Sequence, residues 1–238
     1  MSRPETVIEL QQVSKVYRTG EEDTIALNQV DLKIEPGEFV AIMGPSGSGK
    51  STMMHIIGLL DEPTSGRYLL DGEDVSRLNP SQRAEIRNSK IGFVFQQFNL
   101  LPRTSVTENV MLPTIYGRVD GAAGRAASII EQVGLKDRAA HLSNQLSGGQ
   151  IQRVAIARAL MMNPSLILAD EPSGNLVSRR SLEILGIFRE INEAGATIVL
   201  ITHEKEIAAF AQRTVNLRDG AIINGSSSEI PADITAIS

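Results

Sequence analysis

The run Gly44-Pro45-Ser46-Gly47-Ser48-Gly49-Lys50-Ser51 constrains this chain more than any other stretch of its 238 residues. It satisfies the P-loop pattern, in which glycines let the backbone turn tightly and bring its N–H groups against phosphate oxygens. A helix following the loop adds the positive end of its dipole to the same charge. Lys50 is expected to reach the β- and γ-phosphates, and the Ser51 hydroxyl to hold Mg²⁺. Such a loop works between a strand and a helix, and the sequence supplies both. Phe39 to Met43 is a short apolar run, as expected of a strand buried on both faces, and STMMHIIGLL after Lys50 has helical spacing. A flexible Gly/Ser loop would need neither flank.

The rest of the chain extends this α/β pattern. Val30, Leu32 and Ile34 alternate with polar residues as a half-buried strand does, and Pro36-Gly37 follows as a turn. Leu166 to Ala169 and Thr197 to Thr202 repeat the buried-strand pattern between helical stretches, which predicts a largely parallel sheet. Between Phe98 and Pro164 the reading is mostly helical, roughly Val106 to Tyr116, Gly121 to Val133 and Gly149 to Met162. These segments are expected to form a helical lobe inserted in the core at about 98–164. TVNLRDGAII reads as a hairpin turning at Asp219-Gly220, with polar residues from Ser226 onward expected to be loosely held. With no internal repeat and no long linker, a single domain over 1–238 is expected.

Composition closes off several chemistries. The absence of cysteine removes disulfides, thiolate zinc sites and thiol nucleophiles together. A formal charge of −5 argues against an electrostatic grip on nucleic acid. Arg83, Arg87 and Lys90 come nearest to a basic stripe and read as a solvated face. The opening MSRPETVIEL lacks the apolar core of a signal peptide, and no apolar run nears the ~18 residues of a membrane span. Any membrane role is therefore expected to come through a partner.

Leu166 to Ala169 runs into two adjacent carboxylates, Asp170 and Glu171. Burying that pair at a strand end is costly unless something there uses it, and parallel sheets place ligands at the carboxyl ends of their strands. Asp170 is thus the candidate for holding Mg²⁺, and Glu171 the candidate general base for an attacking water. Alone, Asp-Glu after an apolar run reads as a strand entering a solvated turn. The upstream phosphate loop reverses that preference.

Leu146-Ser147-Gly148-Gly149-Gln150, just before QRVAIARAL, resembles the signature of ABC ATPases. Physically it offers a second phosphate site, with a hydroxyl, glycine N–H groups and a helix N-terminus aimed at an anion. The bland alternative is a plain helix cap. The resemblance covers Val7 to about Ile223 and implies an ABC ATPase fold: a P-loop α/β core with a mainly parallel sheet, an N-terminal antiparallel β subdomain and a helical lobe. It further implies ATP as substrate with Mg²⁺. The nucleotide-binding set would be Tyr17, as the aromatic that stacks on adenine, with Gly44, Pro45, Ser46, Gly47, Ser48, Gly49, Lys50, Ser51 and Thr52. Lys50, Glu171 and His203 would be catalytic, and Ser51, Gln96 and Asp170 would serve the metal, with Gln97 the alternative to Gln96.

By the same resemblance, Leu146 to Gln150 would act in trans, in a head-to-tail homodimer or a pair with a like ATPase subunit. That dimer would sit on the cytoplasmic face of the membrane beneath separate integral permease subunits. GLLDEPTSG, IGFVFQQFNLLPRTSVTENVMLP and PSGNL are most similar to ATPases of macrolide-exporting and lipoprotein-releasing systems. The alternatives are an amino-acid importer ATPase, a cell-division-type regulator and a non-transport ABC protein. Gly174-Asn175 weighs against the importer, which usually has Ser-Ala there. One departure from the family pattern is Val177, where aspartate is usual, which bears on communication between the two sites; Ser173 for threonine is minor. Phe98, Leu100 and Leu101, just after Gln96, either pack locally or form part of a groove for a short helix of the membrane partner.

Overall fold

The computed structural model describes residues 5–19, 22–172 and 179–227. Ser173, Gly174, Asn175 and Val177 lie outside the described residues, as does the tail from 228 onward. The first strands are β1 (Ile8–Thr19), β2 (Glu22–Ile34) and β3 (Phe39–Met43), followed by helix α1 (Lys50–Ile57). Then come β4 (Ser65–Leu70), β5 (Glu73–Asp74), α2 (Pro80–Lys90) and β6 (Ile91–Val94). The helical stretch holds α3 (Val106–Met111), α4 (Ala122–Gln132) and α5 (Gly148–Leu160). The chain closes with β7 (Leu166–Asp170), α6 (Arg179–Glu193), β8 (Thr197–Ile201), α7 (Lys205–Ala208), β9 (Arg213–Arg218) and β10 (Ala221–Ser227).

Two sheets result: a four-stranded antiparallel one in the order β2-β1-β4-β5, and a six-stranded one in the order β10-β9-β3-β8-β7-β6. In the larger sheet β9, β3, β8, β7 and β6 run parallel, and β10 closes the edge antiparallel. The antiparallel N-terminal subdomain and the mainly parallel core are therefore both present. The hairpin turns at Asp219-Gly220 as expected, but the strand continues through Ser227 rather than loosening at Ser226.

The strands of the larger sheet divide their residues by period two between two cores. Phe39, Ala41, Ile167, Ala169, Ile198 and Leu200 face the helical side, with Val106, Val154 and Phe188. Val40, Ile42, Leu166, Leu168, Val199 and Ile201 face α1 and the N-terminal sheet, with Met53, Ile56, Val30 and Tyr68. One row across the sheet reads Ala41, Leu200, Ala169, Val94, a large side chain set between two alanines. Strands covered on both faces explain why these segments read as unbroken apolar runs.

Three boundaries differ from the sequence reading. Helix α1 ends at Ile57, because Gly58 takes the C-cap and its N–H bonds the Met54 carbonyl. Helix α3 stops at Met111 and tightens into a 3₁₀ turn over Leu112–Ile115, since Pro113 has no N–H to continue the ladder. Helix α2 was not expected, although Asn79 and Gln82 form a complete capping box ahead of it. It also overturns the solvated face. Arg83 is 2.5 Å from Glu62, Arg87 donates to the Leu59 carbonyl at 2.8 Å, and Lys90 pairs with Glu73 and Asp71.

Candidate functional site

Four parallel strands end at one rim of the larger sheet. β3 hands the chain to the Gly44–Gly49 loop, β7 ends on Asp170 with Glu171 next, β8 runs into His203, and β6 leads to Gln96. Register sets them side by side: Ile42 and Asp170 both pair with Ile201, and Val94 stands opposite Ala169. Residues spread over 160 positions of sequence thus share one edge.

The loop is shaped by close approach. A Cβ on Gly44 would lie 2.2 Å from the Leu217 carbonyl oxygen and 2.5 Å from Ser48 Oγ, so no larger residue fits. Gly49 caps α1 at φ 102, the left-handed region. The Ser48 N–H donates to the Pro45 carbonyl at 3.2 Å, and Gly220 N–H donates to the Ser48 carbonyl at 3.0 Å, tying the loop to the terminal hairpin. Pro45, Ser46, Gly47 and Ser51 are exposed, Gly44, Gly49, Lys50 and Thr52 half-buried, and Ser48 buried. The Lys50 ammonium curls back to donate to the Gly44 and Pro45 carbonyls at 2.7 and 2.8 Å. No acidic residue occupies the first turn of α1, so its positive end is unopposed from within the helix.

Across the rim, Glu171 sits at φ 41, a left-handed backbone that non-glycine residues rarely adopt. The Ile201 carbonyl holds it there by accepting from the Glu171 N–H at 2.9 Å. His203 places Nδ1 2.5 Å from Glu171 Oε1. A carboxylate accepts at that distance with the proton on Nδ1, which leaves Nε2 directed elsewhere. Burial pushes the Asp170 carboxyl above the usual carboxylate range, and the neighbouring Glu171 charge adds to it; His55 and Lys50 oppose both. Two adjacent carboxylates therefore stand together at the end of β7. A divalent cation fits such a place: Ser51, Gln96 and Asp170 offer hydroxyl, amide and carboxylate oxygens, the hard donors that Mg²⁺ takes beside phosphate oxygens.

Tyr17 lies on β1, partly exposed, and its hydroxyl donates to Asp61 Oδ2 at 2.9 Å. Ser147 is the N-cap of α5, in a capping box with Gln150: the Ser147 N–H donates to Gln150 Oε1 at 2.9 Å, and Gln150 N–H to Ser147 Oγ at 3.4 Å. The cap reading is therefore right as far as it goes, while Ser147 and Gly148 remain exposed at the helix start. Among the described residues no hydrogen bond or ion pair joins Leu146–Gln150 to the 44–52 loop. The signature segment belongs to the helical side, where α5 packs on α3, α4 and β6.

Gln96 and Gln97 are exposed just past β6. Of the three apolar residues after them, Leu100 packs on the helical core, Phe98 is half-buried and Leu101 is exposed. An apolar groove of about 800 Å³ does lie nearby, but Phe93, Phe95, Leu112, Tyr116 and Met162 line it, not Phe98, Leu100 or Leu101. The Phe93 and Phe95 rings stack in it at 5.3 Å between centroids. Arg158, itself part of the wall, donates to the Phe98 and Asn99 carbonyls and fixes the loop. The sequence reading missed Arg158, Phe93 and Phe95. The last two were visible only as alternate members of an apolar strand.

Comparison with known proteins bears on the rim. The family model described as ABC transporter matches residues 27–174. The chain is 55% identical over 221 residues to a macrolide export ATP-binding/permease protein MacB of Syntrophobacter fumaroxidans, covering 91% of this chain and 31% of that protein. It is 52% identical over 225 residues to an uncharacterized ABC transporter ATP-binding protein, YknY, of Bacillus subtilis, covering 94% of this chain and 98% of that one. The chain thus spans about a third of the exporter's length and nearly all of the second relative. A solved ATP-binding cassette, MJ0796, in a dimeric post-hydrolysis state bound to ADP and Pi superposes with a TM-score of 0.82 at 45% identity, covering 92% of this chain and 98% of that chain. Among the described residues no helix is long and apolar enough to cross a membrane.

Proposed function

Since the chain belongs to the ABC transporter family, we propose that it is the ATP-hydrolysing subunit that powers export or extraction through separate membrane permease subunits. The observation that carries this is the shared rim, which sets the Gly44–Lys50 loop, Asp170, Glu171 and His203 at the ends of neighbouring parallel strands. Hydrolysis by the solved cassette bound to ADP and Pi supports the same chemistry here.

In the proposed mechanism the loop N–H groups and the Lys50 ammonium bind the β- and γ-phosphates, and Tyr17 stacks on the base. Bound Mg²⁺, held by Ser51, Asp170 and Gln96, would supply charge neutralisation at the phosphates. Glu171 takes a proton from water as its oxygen attacks the γ-phosphorus. The bond from that phosphorus to the bridging oxygen breaks, and ADP and phosphate leave. His203 holds the Glu171 carboxylate in place through Nδ1. Most of the rate comes from positioning and charge stabilisation rather than from covalent chemistry.

Ser147–Gln150 stands on the helical side, and among the described residues no hydrogen bond or ion pair joins it to the loop of its own chain, which supports a head-to-tail pair, with a second copy or a like ATPase subunit, that brings a signature to each triphosphate. The dimeric state of the solved relative supports that pairing. The apolar groove at Phe93, Phe95 and Tyr116 is the proposed seat of the permease, which would hold the chain peripherally at the membrane. Glu171→Gln tests the scheme: it should bind ATP, lose at least about 100-fold in turnover and accumulate as a dimer in size-exclusion chromatography. Normal turnover in that variant would remove Glu171 from the role, and failure to pair in ATP would remove the shared site.

A further inference from the structure

Tyr17 is held by more than its own strand. Lys15 and Tyr17 are two apart on β1 and therefore point to the same face. The Lys15 ammonium donates to Asp61 Oδ1 at 2.7 Å and to the Glu62 carbonyl at 2.8 Å, and it lies 5.0 Å from the centre of the Tyr17 ring. The Tyr17 hydroxyl reaches the other oxygen of the same carboxylate. Asp61 thus receives both side chains, one on each oxygen, and the cation covers one face of the ring.

The carboxylate is itself fixed to α1. Leu60 and Asp61 N–H groups both donate to the His55 carbonyl, wrapping the chain around the end of that helix. Three residues on, Thr64 ties the same segment to β1: its N–H donates to the Ser14 carbonyl at 2.8 Å, and its hydroxyl accepts from the Val16 N–H at 3.0 Å. Burial alone would raise the Asp61 carboxyl, yet bonds from Lys15, the Glu62 amide and Tyr17 hold it below the ordinary carboxylate range. The lysine is largely covered, with 13% of its side chain exposed, while Tyr17 keeps 37% of its surface. The clasp therefore holds Tyr17 from Asp61 and Lys15 while leaving it partly open to solvent.

We propose that Lys15 and Asp61 are positioning residues that lock the Tyr17 ring as the platform for the purine of the bound nucleotide. The proposal rests on the reading that Tyr17 faces the base. The Tyr17 hydroxyl also hydrogen-bonds the Thr52 side chain in the first turn of α1, so the ring is anchored beside the start of that helix as well as to Asp61.

The test separates base from phosphate. Affinities of the full chain for ATP and for inorganic tripolyphosphate are measured by displacement of a fluorescent ATP analogue, for the parent, Tyr17→Ala, Tyr17→Phe, Asp61→Ala, Lys15→Ala and the double variant Tyr17→Ala/Asp61→Ala. Tyr17→Ala should raise the Kd for ATP about tenfold, the usual effect of losing one aromatic stacking partner. Asp61→Ala and Lys15→Ala should each raise it several-fold, with the tripolyphosphate Kd unchanged within about twofold. The double variant should be no worse than Tyr17→Ala, as expected when Asp61 acts through the ring. Tyr17→Phe keeps the ring and drops the bond to Asp61, and should fall between parent and Tyr17→Ala. Equal loss for ATP and tripolyphosphate in Asp61→Ala, or additive loss in the double variant, overturns the clasp while leaving Tyr17 its role. An unchanged ATP affinity in Tyr17→Ala overturns the base-stacking reading itself.

Discussion

Asp170 ends a strand hydrogen-bonded on both sides, with a second carboxylate one residue on. Desolvation and that neighbour lift its carboxyl above the ordinary range, so the folded state binds its proton more tightly than the unfolded chain does. Stability from this group is therefore highest below the unfolded pKa, falls as pH rises through the folded value, and stays reduced at neutral pH. Asp170→Asn removes the charge but keeps the shape. It should raise the Tm at pH 7.5 by about 2 °C by calorimetry, with the gain vanishing at about pH 3.5, while ATPase activity falls by more than about 100-fold. A lower Tm at neutral pH would show that the carboxylate is instead well compensated in the fold. The strained backbone at Glu171 belongs to the same economy, since active rims keep conformations that packing elsewhere must hold.

At the scale of elements, the parts with the least ambiguous chemistry were the easiest to read. The loop after β3, the carboxylates after β7 and the histidine after β8 were all legible, because a strand buried on both faces is a short apolar run and the residue ending it stands out. Helix α2 was missed since it has no buried residue and hence no apolar periodicity, although Asn79-Pro80 and Gln82 spell a helix start in the sequence. That cap can be weighed. Asn79→Ala should cost about 1 kcal/mol in urea unfolding with the m-value unchanged; no change would mean that packing on Glu62 and Leu59 alone sets the helix. Pro113 likewise announces the end of α3, but the reading carried the helix through it to Tyr116. The Lys15, Tyr17 and Asp61 clasp was beyond reach for another reason. Its members lie 44 to 46 positions apart, joined only by the packing of β1 on the turn after α1.

At the scale of the whole molecule, two exposed features of the described residues carry the proposed contacts with partners. One is the start of α5, with Ser147 and Gly148 exposed; the other is the groove between α2, β6 and the Leu112–Tyr116 segment. Tyr116, which lines that groove, is 83% exposed, and Ile115 beside it in sequence 70%, unusual for residues of that size. If the proposed permease seat is right, Tyr116→Glu should abolish co-purification with the proposed permease partner while leaving the Tm within about 1 °C of the parent, because surface changes seldom alter stability by more than ~0.5 kcal/mol. Undiminished co-purification would place the permease elsewhere. Sequence alone pointed to this region through Phe98, Leu100 and Leu101, and missed its walls, because a groove is a property of three elements meeting and leaves no local pattern.

The row Ala41, Leu200, Ala169 lies two residues beneath the rim, with one bulky side chain seated between two methyl groups. Sliding β8 by a single step would press a β-branched neighbour into that gap and swap its inner and outer residues, and it would carry the imidazole about 3.3 Å from its carboxylate partner. Size-matching in the oily interior thus acts as a gauge for the chemistry above it, and a misaligned strand cannot pass without also spoiling the fit below.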